Sequence, residues 1–551
     1  MQILENIQYD TDALFKSILE TMKSLHNAEN VAHPFPEELR LSAERYGSRT
    51  VYGNYNFVST VKNRSAWLTV YIGTEKVLQR KLSQRQKEIL RDTPKTAELI
   101  HQYVKSAPIV CVKRTMGNNS YFNPQCTLYV SVYRKEMIRL AYMIGQTLFT
   151  FREKAPGPEL YLLHIPEWQE KDRQILVFPE IGVTYVLGSD YYGEDKKGFL
   201  RMAMWMAKQK GMLGLHAGAK IVKAKDNAGK IKRYGMILFG LSATGKTTHA
   251  CHNHGLLDDG EGQEIIQDDV IFLRPDGSAL GSEKGFYLKT GYLNPKVQPI
   301  IFRAAISHNT IFENVMIDHL GNVHFDDITL TENGRAIIQR EDLGADKSES
   351  VNLPPLKEMD EMVIIFITRR NTVVPIASKL TIEQAASAFM LGESVETSAG
   401  DPRRTGESVR EVGTNPFIVG DETLEGNWFY DFLKKHNDKV QCYLLNTGGV
   451  GENRKEDVSN EILRKPVRVE IPEMAAIIRG IVKGSIEWIR EPYFNTFVPK
   501  KVNGMQMTRF DPSEYYSREQ IDAYVVKLKQ ERFTRLKEFR NLNQAIFDAT
   551  K

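Results

Sequence analysis

One stretch constrains this chain more than any other: Gly240-Leu241-Ser242-Ala243-Thr244-Gly245-Lys246-Thr247-Thr248, which follows the apolar run Met236-Ile237-Leu238-Phe239. A strand that runs into GxxxxGK[ST] and opens a helix turns backbone N–H groups and the helix N-terminus toward an anion. Lys246 then reaches the outer phosphates, and the Thr247 hydroxyl is offered to Mg2+. The unit predicts an α/β framework and a nucleoside triphosphate site.

The chain is 551 residues long, which exceeds one core and predicts two to four domains; 42% apolar and 26% charged residues are values of a soluble globular protein. With 73 basic against 69 acidic residues the net charge is +4, so no global field points to nucleic acid or a membrane as partner. Cys111, Cys126, Cys251 and Cys442 lie far apart without CxxC spacing, which disfavours a disulfide framework or zinc cluster and predicts free thiols in a reducing compartment. The first residues carry acidic groups and no apolar core of signal-peptide length, and no run approaches a membrane span, so a cytoplasmic location is expected.

Before the phosphate loop the pattern predicts a mixed α/β domain. Helical spacing of Leu14, Ile18, Met22 and Leu25 gives an amphipathic helix over 12–26, and 81–106 is helical and charged. Strands are expected at 67–72, 108–112, 126–133, 161–165, 174–178 and 183–187, with 137–151 either helix or long strand. The segment 188–198 leads into an apolar helix expected over 199–208. It places Lys196 and Lys197 at the helix start, where the macrodipole disfavours cations, so on this ground alone the pair is expected in solvent. His216, at the end of an apolar run, reads as a satisfied core residue.

Beyond the loop, Ile265-Ile266-Gln267-Asp268-Asp269 is an apolar strand ending in two carboxylates, the expected place for a metal-binding partner of the phosphate loop. Asp258-Asp259 sits in a Gly-rich polar segment and reads as a solvated turn. Buried strands are expected at 286–290, 363–368 and 441–445, and a turn over 331–335 ends in Arg335. Residues 392–413 have the composition of a mobile loop, either a lid over the nucleotide or an idle surface loop. A charged peripheral helix is expected within 512–547.

Taken in order, these motifs resemble ATP-dependent phosphoenolpyruvate carboxykinase from about Arg64 to about Gly480. Asn63-Arg64-Ser65-Ala66 is similar to that family's GRSP segment, 188–198 to its tyrosine- and lysine-bearing stretch, and 240–248 to its GLSGTGKTT loop. Asp268-Asp269, Phe286 to Thr290, Thr331 to Arg335 and Asn446-Thr447-Gly448 fall on further family segments. The resemblance implies a two-domain carboxykinase fold: a mixed-sheet substrate domain over 1–211, and a nucleotide- and metal-binding domain over 212–551 whose lid spans about 392–413. It implies Mn2+ held by Lys197, His216 and Asp269, and Mg2+ beside Thr247. Arg64, Tyr191, Lys197 and Arg335 would meet the substrate. Lys197, Lys246, Arg335 and Asp268 would be catalytic, and the loop residues with Lys289 and Arg468 would hold ATP.

A lysine ligates a metal only as the neutral amine, and a neighbouring Lys196 favours that form. The resemblance thus replaces the solvent reading of the lysine pair. The implied reaction converts oxaloacetate and ATP to phosphoenolpyruvate, CO2 and ADP, with small molecules as partners and a monomer or small homo-oligomer as the assembly. The chain departs from the family at Ala243 for a loop glycine, at Leu215 to Val222 for HCSANVG, at Gly334 for threonine and at Met474 for threonine. A P-loop kinase acting on another small acid or a protein, and a nucleotide-binding sensor without turnover, are the competing readings.

Overall fold

In the computed structural model, residues 10–77, 82–169, 173–241, 244–291, 293–395, 408–455 and 462–550 are described. Two eight-stranded mixed sheets carry the α/β architecture. The first runs Val31–Ala32, Ile109–Thr115, Gln125–Ser131, Glu159–Ile165, Val183–Leu187, Gln174–Phe178, Thr69–Tyr71, with Phe149–Thr150 also on Ile109–Thr115. Alternation along its strands serves two cores. Ile109, Cys111 and Tyr129 face helices Thr11–Leu25 and Gln84–Tyr103, whereas Val110, Val112, Leu128 and Val130 face helix Ile138–Thr147.

The second sheet runs Gly262–Gln267, Ala217–Lys225, Ile231–Gly240, Glu361–Thr368, Val440–Asn446, Ala377–Leu380, Phe497–Lys501, Glu487–Arg490. Its centre is parallel: Ile231–Gly240 pairs with Glu361–Thr368, and that with Val440–Asn446. Both faces are covered, so these strands read as continuous apolar runs rather than alternating ones. Ile237, Phe239, Ile364 and Phe366 meet Phe389 and Phe429 on one face; Met236, Leu238, Val363 and Ile365 meet Ile477 and Ile478 of helix Ile471–Lys483 on the other. The loops leaving the carboxyl ends of Ile231–Gly240 and Val440–Asn446 converge there, Thr447 Oγ1 donating to the Thr244 carbonyl at 2.8 Å, the usual ligand side of an α/β sheet.

A five-stranded sheet ties distant parts of the chain together in the order Gly285–Lys289, Arg335–Gln339, Ile311–Glu313, Tyr55–Phe57, Ser48–Arg49. Residues near the N-terminus thus complete a sheet otherwise built from 285–339.

Several expectations shift in detail. Over 137–151 the structure has helix Ile138–Thr147 followed by the short strand Phe149–Thr150. Trp67 is not in a strand: Ala66–Leu68 is a 3-10 turn that leaves its ring 62% exposed, and the strand is Thr69–Tyr71. The helix expected from Phe199 starts seven residues earlier and spans Tyr192–Gln209. Its start is fixed from another element, the Glu313 carboxylate accepting the Tyr192 N–H at 3.1 Å, and no local pattern reveals such a cap. The charged helix expected within 512–547 is Arg518–Leu536, with Ile521, Val525, Leu528 and Leu536 inward, and the short helix Gln544–Asp548 follows it. Of the expected lid, 396–407 lies outside the described residues; its flanks Glu393–Val395 and Ser408–Arg410 pair as a two-stranded ladder. Among the described residues no helix is long and apolar enough to cross a membrane.

Candidate active site

Four basic side chains from three segments meet one carboxylate. Asp269, in the bend between Gly262–Gln267 and Ile271–Leu273, contacts Lys196 Nζ at 2.7 Å, Lys197 Nζ, His216 Nε2 at 3.0 Å and Lys246 Nζ at 2.9 Å. Lys196 and Lys197 stand on helix Tyr192–Gln209, His216 between strands Leu213–Leu215 and Ala217–Lys225, and Lys246 at the first position of helix Lys246–Cys251. Lys196 is fully buried and also reaches Glu283 at 2.7 Å. The solvent reading of the lysine pair is therefore corrected: the helix starts before them and two carboxylates draw them inward.

Burial and charge divide the lysines. For Lys196, burial disfavours the cation, but Asp269 and Glu283 outweigh it and hold the ammonium above its ordinary range. Lys197 is pushed down to about 7, first by burial and then by Lys196 and Lys246, against the pull of Asp269. Asp268, buried beside Asp269, is pushed up to about 7 by burial and its neighbour's charge, and its Oδ1 has no hydrogen-bond partner. Asp269 itself is held well below the carboxylate range; burial opposes this, and the three lysines prevail.

His216 carries the test of whether a cation fits. Its Nδ1 lies 2.6 Å from the Thr414 carbonyl while Nε2 faces Asp269 Oδ1 at 3.0 Å. Burial and Lys246 lower the imidazole to about 4, so it is neutral and has one proton for two acceptor oxygens. Placing that proton toward Thr414, as ligating histidines do with backbone carbonyls, leaves two lone pairs facing each other across 3.0 Å. A metal ion resolves that contact, and Lys197, His216 and Asp269 fit one. Thr414 takes φ +51°, uncommon for a β-branched residue, which aims its carbonyl at the ring.

On the side of the first sheet, Arg64 stacks over Phe417 with Cζ 4.6 Å from the ring centre, and its Nε lies 4.0 Å from Glu194. Phe417 also underlies Lys197 at 4.9 Å and meets His216 edge to face at 5.6 Å. Sequence reading missed this residue. A lone aromatic beyond a polar loop gives no periodic signal, and only the fold shows three basic groups around it. Asp190 accepts N–H bonds from Thr60 at 2.8 Å and Val61 at 2.9 Å, fixing the segment before Arg64 to the one bearing Tyr191. Such bonds to a carboxylate contribute roughly 1.5–3 kcal/mol each. The Tyr191 hydroxyl receives Asn333 Nδ2 at 3.0 Å and lies 3.2 Å from the Tyr287 hydroxyl. Arg335 stacks over Tyr287 at 5.1 Å with Nε buried and unpartnered.

In the loop, Gly245 adopts φ +104° before the helix, and a Cβ on Gly240 would meet Thr244 Oγ1 at 2.5 Å. Ser242 and Ala243 lie outside the described residues. Leu241, Thr247 and Thr248 are half-buried, Thr248 Oγ1 accepting from Gln298 at 2.9 Å. Lys289 is half-buried at the end of Gly285–Lys289, and Arg468 is exposed near Arg369. Asp258 is exposed and pairs with Lys483 at 3.1 Å, a solvated turn as its composition suggests.

The fold is mixed α/β, and its buried charged cluster stands beside a glycine-rich turn. Comparison with known families gives the class: residues 36–508 match the model of phosphoenolpyruvate carboxykinase, so the chain belongs to that family. Its relatives carry the narrower name. A phosphoenolpyruvate carboxykinase (ATP) of Aeropyrum pernix is 29% identical over 500 residues, covering 89% of this chain and 91% of its own. Proteins of the same name from Rhodopseudomonas palustris and Methylorubrum extorquens are 27% and 28% identical, covering 67% and 65% of this chain and 66% and 64% of theirs.

Proposed function

We propose that this chain converts oxaloacetate and ATP to phosphoenolpyruvate, CO2 and ADP, as an ATP-dependent phosphoenolpyruvate carboxykinase. The observation that carries this is the convergence of Lys196, Lys197, His216 and Lys246 on Asp269. A phosphate loop serving a kinase has no use for an amine lowered to about 7 beside a neutral imidazole. Both are what a transition-metal ion requires of lysine and histidine. The finer architecture in this reading is a substrate-binding part over 1–211, a nucleotide-binding part over 212–551 and a closing segment over 392–413.

Mn2+ held by Lys197, His216 and Asp269, with Mg2+ beside the Thr247 hydroxyl, would supply the positive charge that favours an enolate oxygen and the phosphates. The protein's own groups do the rest. Arg64, held flat by Phe417, binds a carboxylate of oxaloacetate, and Tyr191 orients the substrate through its fixed hydroxyl. As the C–C bond breaks, CO2 leaves and the electron pair passes to the enolate of pyruvate. The enolate oxygen then attacks the γ-phosphorus while the bond to the ADP oxygen breaks. Lys246 and Arg335 offset charge on the transferring group, so positioning and charge stabilisation account for the step. Asp268 adds an unpartnered carboxylate oxygen beside Asp269.

Purified protein given oxaloacetate, ATP, Mg2+ and Mn2+ is expected to form phosphoenolpyruvate, and the variant Lys246→Ala to lose about 10²–10³-fold in rate. ATP binding without product would leave the kinase or sensor reading instead. Activity in Lys246→Ala would remove the loop from the site.

A further inference from the structure

At one edge of the first sheet stand three side chains that the proposed reaction does not use. Helix Thr11–Leu25 ends with His26 at its C-cap, and the edge strand Val31–Ala32 runs directly into His33. That strand pairs in parallel with Ile109–Thr115, Val31 opposite Ile109 and Ala32 opposite Val110, so the next step in register brings His33 level with Cys111. One donor atom from each of His26, His33 and Cys111 can be chosen so that all three lie within 4.8 Å of one another. Ligands on a tetrahedral ion with bonds of about 2.0–2.3 Å are separated by roughly 3.3–3.8 Å. An exposed imidazole turning about its side-chain bonds closes that difference.

The hydrogen bonds in place suit ligation. His33 Nε2 lies 2.9 Å from the His26 carbonyl; donation to it leaves Nδ1 as the free lone pair, the arrangement that ligating imidazoles adopt. His26 Nδ1 is buried without a hydrogen-bond partner, and the two rings meet edge to face with centroids 4.8 Å apart. The helix C-terminus adds the negative end of its macrodipole. Cys111 is a free, buried thiol, while His33 is exposed and leaves one side of the cluster open to water. Lys113 Nζ, 3.2 Å from His26 Nε2, opposes a cation here, and its long stem lets the ammonium swing outward.

We propose that His26, His33 and Cys111 form a binding site for a thiophilic divalent transition-metal ion, Zn2+ foremost, with water as the fourth ligand. Two imidazoles and a thiolate select such an ion over Mg2+, which prefers oxygen. As the metal–sulfur bond forms, the Cys111 thiol gives its proton to solvent. The bound ion joins the end of Thr11–Leu25, the edge strand and Ile109–Thr115, at the opposite edge of the sheet from Thr69–Tyr71, the strand that follows Arg64. The CxxC spacing that usually betrays a thiolate site is missing because each ligand comes from a different element.

Chelator-stripped full-length protein, titrated with Co2+, is expected to develop a thiolate-to-cobalt charge-transfer band that Zn2+ bleaches. The ligand set proposed around Asp269, namely Lys197, His216 and Asp269, includes no thiolate and contributes nothing to that band. Cys111→Ser should abolish the band. His33→Ala, a change at an exposed residue, should weaken Zn2+ binding at least about tenfold and leave phosphoenolpyruvate formation unchanged, whereas Lys113→Ala should tighten it. No band in the wild-type protein, a band that persists in Cys111→Ser, or undiminished Zn2+ affinity in His33→Ala overturns the proposal. If Cys111→Ser fails to fold, the His33→Ala titration decides.

Discussion

Asp269 is shared by four basic groups, and its neighbours titrate in consequence. Lys197, lowered to about 7, is an ammonium below that pH and a free amine above it. A metal ion competes with that proton, so Mn2+ affinity is expected to rise with pH through about 7 and then level off, read by calorimetry in the absence of nucleotide. Asp268 ionises in the same window and works in the same direction, so Asp268→Asn should keep part of the rise, and Lys197→Met should lose the part that remains. A flat profile in the wild-type protein would take Lys197 out of the ligand set. His216→Ala should abolish Mn2+ stimulation while leaving nucleotide affinity nearly unchanged; equal loss of both would mean that the histidine serves the loop instead.

Among the elements, the ladder of Glu393–Val395 and Ser408–Arg410 is tied down by charge rather than by apolar packing. Buried Glu393 meets Arg370 at 3.1 Å, Arg410 at 3.1 Å and Arg532 of helix Arg518–Leu536 at 2.8 Å. Burial disfavours its charge, but the three guanidinium groups hold the carboxyl well below its ordinary 4.5. Its folded value is depressed, so its contribution is complete above about 4.5 and is lost as pH falls below that. Glu393→Ala, which removes the carboxylate shared by three arginines and leaves Arg410 with Glu531 at 3.0 Å, is expected to lose about 3–5 kcal/mol in urea unfolding at neutral pH. The difference from wild type should shrink in acid. Strands such as Gln174–Phe178 and Val440–Asn446 were legible because each is a short apolar run between breakers. The glycine-rich turn ahead of helix Lys246–Cys251 was legible because its signals are local, with glycines, Lys246 and Thr247 in one stretch. What escaped depends on partners far along the chain: Glu313 setting the start of a helix, Glu283 drawing Lys196 inward, Phe417 beneath Arg64. No window of sequence contains both members of those pairs.

At the scale of the molecule, the five-stranded sheet makes the two halves of the chain depend on each other. Residues 212–551 expressed alone would leave Ile311–Glu313 with an open edge where Tyr55–Phe57 pairs, and unpaired edges invite association. That fragment is expected to elute as aggregates in gel filtration, whereas the full-length chain, which keeps Tyr55–Phe57 on that edge, should be monodisperse. Monomeric, native-like 212–551 would make the N-terminal strands an accessory. The same sheet also sets a timetable for synthesis. Asn56 donates to the carbonyl of Val315, 259 positions further on, so at about 5–20 residues per second the early strands wait roughly 13–50 s for their partner to leave the ribosome. During that interval Tyr55–Phe57 has only Ser48–Arg49 beside it and one edge open, which exposes the nascent N-terminal segment to association with other chains.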